Sequence, residues 1–97
     1  MNKQNKRKKL LNQIDEVLSL IDSKSDLYKA ILEHGMNMAN NKDRPIEYIK
    51  LARNISDSFL SAKYDIDQTK ALTALISQLQ NQDKFTMSGG VGFGGLA

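Results

Sequence analysis

The spacing of apolar residues is the feature that most limits how this chain folds. In four separate segments, apolar side chains recur every three or four residues, which places them on one face of an α-helix. No segment alternates apolar and polar residues with a period of two, and no Asn-Gly or Asp-Gly pair predicts a β-hairpin. The pattern therefore predicts an all-α protein.

We predict four helices, at about 6–21, 26–39, 45–63 and 66–81. In the first of them, six apolar residues cover an arc of about 120°. These residues are Leu10, Leu11, Ile14, Val17, Leu18 and Ile21. The third helix carries a second apolar line, formed by Ile46, Ile49 and Leu60, in addition to its main face. We therefore expect the third helix to be the central and most buried one.

Local signals mark where three of these helices begin. Ser25 or Asp26 is a suitable N-cap for the second helix. Pro45 suits the first position of the third helix, where its missing N–H is not needed. Asp65 followed by Gln68 predicts a capping box at the start of the fourth helix.

Short connections between the helices predict an antiparallel up-down-up-down four-helix bundle over residues 1–86. Residues 87–97 contain five of the six glycines, with Val91, Phe93 and Leu96 placed between them. This composition predicts a flexible Gly-rich C-terminal tail.

Composition limits the protein class further. A chain of 97 residues forms one domain, and the absence of cysteine argues against disulfides and fits a reducing compartment. No apolar run reaches the roughly 18 residues of a membrane span, and no apolar segment typical of a secretion signal follows the basic start. We expect a cytoplasmic protein.

The positive charge is concentrated at the N-terminus. Five cations lie in the first nine residues: Lys3, Lys6, Arg7, Lys8 and Lys9. The other residues carry nine Lys or Arg (14 minus 5) against eleven Asp or Glu, a net charge of −2. The basic arm could contact phosphates or an anionic membrane surface, such as the inner membrane face, or could serve solubility alone.

The sequence carries no recognisable catalytic motif. His34 is the single histidine, and we expect it to face solvent on the second helix. Without a second His or a Cys it does not form a typical transition-metal site. We expect no cofactor, no metal and no catalysis, so the predicted mode of action is binding.

One segment carries a family resemblance. Residues 49–79 read IKLARNISDSFLSAKYDIDQTKALTALISQL. The resemblance rests on four features in this order: a helix that ends in small and apolar residues, an aromatic residue, a capping pair, and a Leu-rich helix. They are Phe59, Leu60, Ser61, Ala62, Tyr64, Asp65, Gln68, Leu72, Leu75 and Leu79. This third of the chain resembles the immunity proteins for pediocin-like (class IIa, enterocin A type) bacteriocins, although the glycine-rich tail departs from the family's pattern.

The resemblance implies a cytosolic four-helix bundle that protects its producer at the bacteriocin's receptor complex, the mannose phosphotransferase permease. It also implies that the C-terminal half selects the bacteriocin. We expect the partner surface on the exposed side of the fourth helix and in the tail. The residues concerned are Lys70, Thr73, Ser77, Val91, Phe93 and Leu96.

Two other function classes remain open at this point. A small nucleic-acid-binding regulator could use the basic arm, but the net negative remainder and the lack of a basic recognition helix disfavour it. A generic helical adaptor is the second alternative, for which the fold is the only argument. Neither the bacteriocin countered nor the oligomeric state follows from the sequence.

Overall fold

The computed structural model describes residues 3–82, 84 and 85. They form four helices: α1 (Lys3–Leu20), α2 (Asp26–Ala39), α3 (Pro45–Ser61) and α4 (Ile66–Gln80). The described residues include no β-strand. The prediction of an all-α, four-helix protein is confirmed, and every predicted helix end lies within three residues of the observed one. The predicted flexible tail at 87–97 lies outside the described residues.

The predicted helix starts are confirmed in atomic detail. The Ser25 hydroxyl accepts a hydrogen bond from the Tyr28 N–H at 3.1 Å, so Ser25 and not Asp26 caps α2. Pro45 is the first residue of α3. At α4, the Asp65 carboxylate accepts from the Gln68 backbone N–H at 2.7 Å, and the side-chain Oε1 atom of Gln68 accepts from the Asp65 backbone N–H at 3.0 Å.

The helices pack in a ring, since α1 contacts α2 and α4, and α3 contacts the same two helices. Each helix contributes fully or nearly fully buried apolar side chains to a shared core. Its largest members are Leu10, Val17, Ile31, Met38, Tyr48, Ile55, Leu72, Leu75 and Leu79. Gly35 allows α2 to come close to α1, because a Cβ at this position would lie 3.3 Å from the Ile14 Cγ2 atom.

The predicted central position of α3 is wrong. The prediction that α3 is the most buried helix is confirmed, since it supplies five buried residues, the largest set of the four helices. It nevertheless has the same number of principal neighbours as the others. Of its second apolar line only Ile49 is buried, whereas Ile46 is 43% exposed and Leu60 is 89% exposed. A helix with two neighbours in a ring needs one wide apolar face, so Ile46 and Leu60, which lie outside that face, stay in solvent.

Hydrogen bonds between helix ends hold the ring together. Arg7 near the start of α1 donates to the Met38 carbonyl near the end of α2, at 2.9 Å. Gln68 near the start of α4 donates to the carbonyl of Leu20, the last residue of α1, at 2.8 Å. The first contact joins the start of α1 to the end of α2, and the second joins the start of α4 to the end of α1. Beyond α4, Phe85 packs into the core and is 8% exposed.

Candidate functional site

The corner between α3 and α4 is built by the residues that carry the family resemblance. The rings of Phe59 and Tyr64 meet edge to face, with centroids 5.5 Å apart. One residue later the Asp65–Gln68 capping box starts α4, and the Gln68 side-chain amide reaches back to Leu20 on α1. Three leucines of the segment, Leu72, Leu75 and Leu79, are fully buried. These features therefore set the geometry of the corner and leave recognition to other residues.

The predicted partner surface on α4 is exposed. Lys70, Thr73 and Ser77 lie at positions i, i+3 and i+7, so they share one face, and all three are exposed. Lys70 also lines a groove of about 490 Å³ between α1 and α4, together with Glu16 and Asp67. This face can contact a partner without any change in the bundle. The predicted tail contacts Val91, Phe93 and Leu96 lie outside the described residues.

The residues of the basic arm differ from one another in their surroundings. Lys8 and Lys9 are exposed, and Lys6 is partly buried. Arg7 is engaged inside the protein, where it donates to the Met38 carbonyl and to the Asp43 carboxylate, the latter at 3.2 Å. Arg7 therefore has a structural role, and its side chain is also 29% exposed, so its phosphate or membrane contact stays a prediction. The side chain of Lys3 lies outside the described part.

A buried carboxylate joins four parts of the chain. The Asp43 side chain is fully buried, and its Oδ2 atom accepts hydrogen bonds from the Tyr48 hydroxyl and from Arg7. The Lys84 ammonium lies 3.1 Å from the same oxygen and donates to the Asp43 carbonyl at 2.8 Å. We call Arg7, Asp43, Tyr48 and Lys84 the Asp43 cluster. It connects α1, the α2–α3 loop, α3 and the segment after α4.

The ionisation states within the Asp43 cluster follow from these contacts. Burial raises the pKa of the Asp43 carboxyl, but hydrogen bonds from Tyr48, Arg7 and Lys84 together outweigh this effect and lower the pKa to about 2. Burial and the hydrogen bond to Asp43 both raise the pKa of Tyr48. At neutral pH an ionised carboxylate therefore accepts from a neutral tyrosine and two cations.

The expectation that His34 faces solvent is wrong. The side chain of His34 is 3% exposed, and its ring packs edge-on against Tyr48 with centroids 4.5 Å apart. Its Nδ1 atom lies 3.9 Å from Glu47 Oε1. His34 is buried because it shares the inner face of α2 with Ile31 and Met38, three and four residues away.

Burial also decides the charge of His34. It lowers the pKa of the imidazole, although Glu47 and Asp43 raise it in part. The ring is therefore neutral at pH 7. Neither ring nitrogen has a hydrogen-bond partner among the described residues. A groove of about 540 Å³ between α2 and α3 is lined by His34, Glu47 and Arg44 among others.

Neither the Asp43 cluster nor His34 forms a metal site. In the described part of the chain, no three His, Cys, Asp or Glu side chains are placed so that they could hold a metal ion together. Within the same residues, no helix combines the length and the apolar character that crossing a bilayer requires. The arrangement offers exposed faces and grooves for binding, with Asp43 held by its own neighbours.

Comparison with protein-family models, with curated proteins and with solved structures finds no match to this chain. The function is therefore inferred from the residues and their geometry.

Sequence reasoning missed the Asp43 cluster. Asp43 lies in the polar loop before α3, and Tyr48 lies on the buried apolar face of α3. The partners Arg7 and Lys84 are 36 and 41 positions away from Asp43, so no spacing rule connects them. The one available signal was the placement of an acid just before a helix start, which is common for reasons of capping alone.

Proposed function

We propose that this chain is an immunity protein that protects a bacterium against a pediocin-like bacteriocin. It acts by binding at the inner face of the bacteriocin's membrane receptor complex, the mannose phosphotransferase permease. The observation that carries the proposal is the α3–α4 corner. The contact between Phe59 and Tyr64 and the capping box Asp65–Gln68 build this corner within the segment that resembles the family, and this supports the proposal.

The exposed surfaces support action by binding. Lys70, Thr73 and Ser77 present a polar face on the helix that follows the corner. A protein of this kind distinguishes bacteriocins through differences in binding free energy between partners. The exposed Lys8 and Lys9 suit the negative surface of an inner membrane leaflet, where each cation contributes about 1 kcal/mol of attraction.

Expression in the cytoplasm of a sensitive lactic-acid bacterium tests the proposal. We expect increased tolerance to one or a few pediocin-like peptides and unchanged sensitivity to unrelated antimicrobials. A Leu75→Asp chain is the control for folding, because Leu75 is fully buried and a carboxylate there disrupts the core. If the folded chain protects against none of the pediocin-like peptides, the proposal is wrong.

A matched pair of triple variants tests the α4 face. The first replaces Lys70, Thr73 and Ser77 with alanine. The second replaces Asn12, Asp15 and Ser19 on α1, which are also exposed and have the same spacing. We expect the α4 variant to lose protection and the α1 variant to keep it, with both folded. Equal protection by the two variants would exclude the α4 face as the partner surface.

A further inference from the structure

The groove between the start of α2 and the end of α3 is distinct from the α4 face. Its volume is about 420 Å³, within the range of about 300–1,000 Å³ common for ligand pockets. Its apolar lining consists of Leu27, Ala30, Ala62 and Tyr64. Tyr64 is held against Phe59, so one wall of the groove is already in place before any partner binds.

The charged residues that line this groove are Asp26 and Asp57. Among the described residues, the lining includes no Lys, Arg or His, and neither aspartate forms an ion pair. The last turn of α3 contains no basic residue, so its terminal carbonyls add partial negative charge. The positive N-terminal end of α2 is offset by Asp26 itself. The groove is thus largely apolar, and the charged side chains that line it are both negative.

Two of the hydroxyl groups in the lining are occupied by their own chain. The Ser25 hydroxyl caps α2 and donates to the Asp22 carbonyl at 2.7 Å. The Ser58 hydroxyl donates to the Ile55 carbonyl at 2.6 Å. These groups serve the helix ends, which leaves the carboxylates of Asp26 and Asp57 as the charged contacts for a partner.

We propose that this groove binds a cationic, amphipathic peptide segment of another protein. An apolar side chain of the segment packs on Leu27, Ala30 and Tyr64, and a lysine or arginine pairs with Asp26 or Asp57. Amphipathic helices bind apolar grooves in this manner. The negative charge disfavours nucleic acid and anionic lipid, which carry the same sign. The inference does not depend on the proposed immunity function.

Fluorescence anisotropy with a labelled helical peptide of lysine and leucine, about 18 residues long, tests the proposal. A glutamate and leucine peptide of the same pattern is the control. We expect binding of the cationic peptide alone, weakened by salt because the charges lie at an exposed rim. Equal affinity for both peptides, or no binding of the cationic peptide, would overturn the proposal.

Charge variants then locate the binding site. We expect Asp26→Asn with Asp57→Asn to weaken binding of the cationic peptide by about 2- to 30-fold, the effect of losing two exposed ion pairs. The control is the double variant Asp15→Asn with Asp67→Asn, which removes the same amount of charge outside the groove. Asp15 lies in the middle of a helix and Asp67 in the first turn of one. An equal loss in both double variants would show non-specific attraction and contradict the proposal.

A variant with a cation inside the groove distinguishes binding of a peptide from another protein from binding of a second copy of this chain. Ala62→Arg places a guanidinium beside the aspartates and should abolish peptide binding, whereas Ala39→Arg at the exposed end of α2 should not. Sedimentation velocity on the same proteins reports the oligomeric state. If the original chain is a dimer that Ala62→Arg dissociates, the groove is filled by a second copy and the proposal is wrong.

Discussion

At the scale of single residues, Asp43 couples folding to pH. The pKa of Asp43 is about 2 in the folded protein, whereas an unperturbed aspartate, as in the unfolded chain, has a pKa of 3.8. A depressed folded-state pKa contributes stability above the unfolded value, and this stability is lost as the pH falls from about 4 to about 2. The difference corresponds to about 2 kcal/mol.

We therefore predict that Asp43→Asn removes this loss of stability between about pH 4 and about pH 2. Urea unfolding of both proteins near neutral pH and near pH 2 provides the measurement. The original chain should lose about 2 kcal/mol more of its unfolding free energy than Asp43→Asn over this range. Parallel pH dependence of the two proteins would show that Asp43 is not held as an ionised, hydrogen-bonded carboxylate.

His34 gives the second prediction at this scale. Burial lowers its pKa below 6.5, so under acidic conditions the unfolded chain binds a proton that the folded chain does not. Stability therefore decreases as the pH falls below 6.5. His34 is the single histidine in the chain, so His34→Phe should remove most of the stability change between about pH 7.5 and about pH 5. Retention of that change in His34→Phe would assign it to other groups.

These residues show where sequence reasoning ends. Ser25, Pro45 and Asp65 could be placed correctly because a helix cap depends on neighbours within three or four positions. The surroundings of Asp43 and His34 depend on which helix faces meet, and that is decided by packing across tens of residues. Local patterns do not carry this information.

At the scale of elements, the start of α4 allows a direct test of capping. Asp65→Ala should lower the unfolding free energy by about 0.5–2 kcal/mol, because it removes the acceptor of the Gln68 N–H. Asp67→Ala should lower it by about 0.3–1 kcal/mol through the helix dipole alone. Chemical denaturation of the two variants measures the order, and the opposite order would move the start of the helix to Asp67.

The apolar faces of the helices give the next prediction. Ile55 and Leu75 are fully buried, so replacing either with alanine should cost about 2–5 kcal/mol. Leu60 lies in the same helix as Ile55 but is 89% exposed, so Leu60→Ala should cost less than about 0.5 kcal/mol. Circular dichroism during denaturation measures all three. Similar losses of unfolding free energy for Leu60→Ala and Ile55→Ala would contradict the observed orientation of α3, in which Ile55 faces the core and Leu60 faces solvent.

Helix α3 also shows what periodicity can and cannot predict. The 3.6-residue period places Ile55 and Leu60 in apolar lines and correctly predicts a helix. It does not tell which of two lines faces the core, because that depends on the number of neighbouring helices. The ring arrangement supplies two neighbours, so Ile46 and Leu60 of the second line remain exposed while Ile49 is buried.

At the scale of the whole molecule, a four-helix bundle is compatible with many functions, so fold alone does not decide between immunity and the other classes. The candidate sites were predictable to different degrees. The α4 face followed from periodicity, since residues opposite Leu72 and Leu75 must lie outside. The groove at the start of α2 and the end of α3, with Asp26 and Asp57, was not predictable, because the sequence predicts that these helices are neighbours but does not predict which side chains line a groove between them.

The glycine-rich segment gives the last prediction. Val91, Phe93 and Leu96 are separated by glycines, and we propose that they anchor the partner together with the α4 face. Deleting residues 88–97 leaves Lys84 in its contact with Asp43 and Phe85 in the core. We therefore expect an unchanged melting temperature and a loss of protection in the sensitive bacterium. A truncated chain that still protects fully would place recognition on the bundle alone, and a lowered melting temperature would instead assign the segment a structural role.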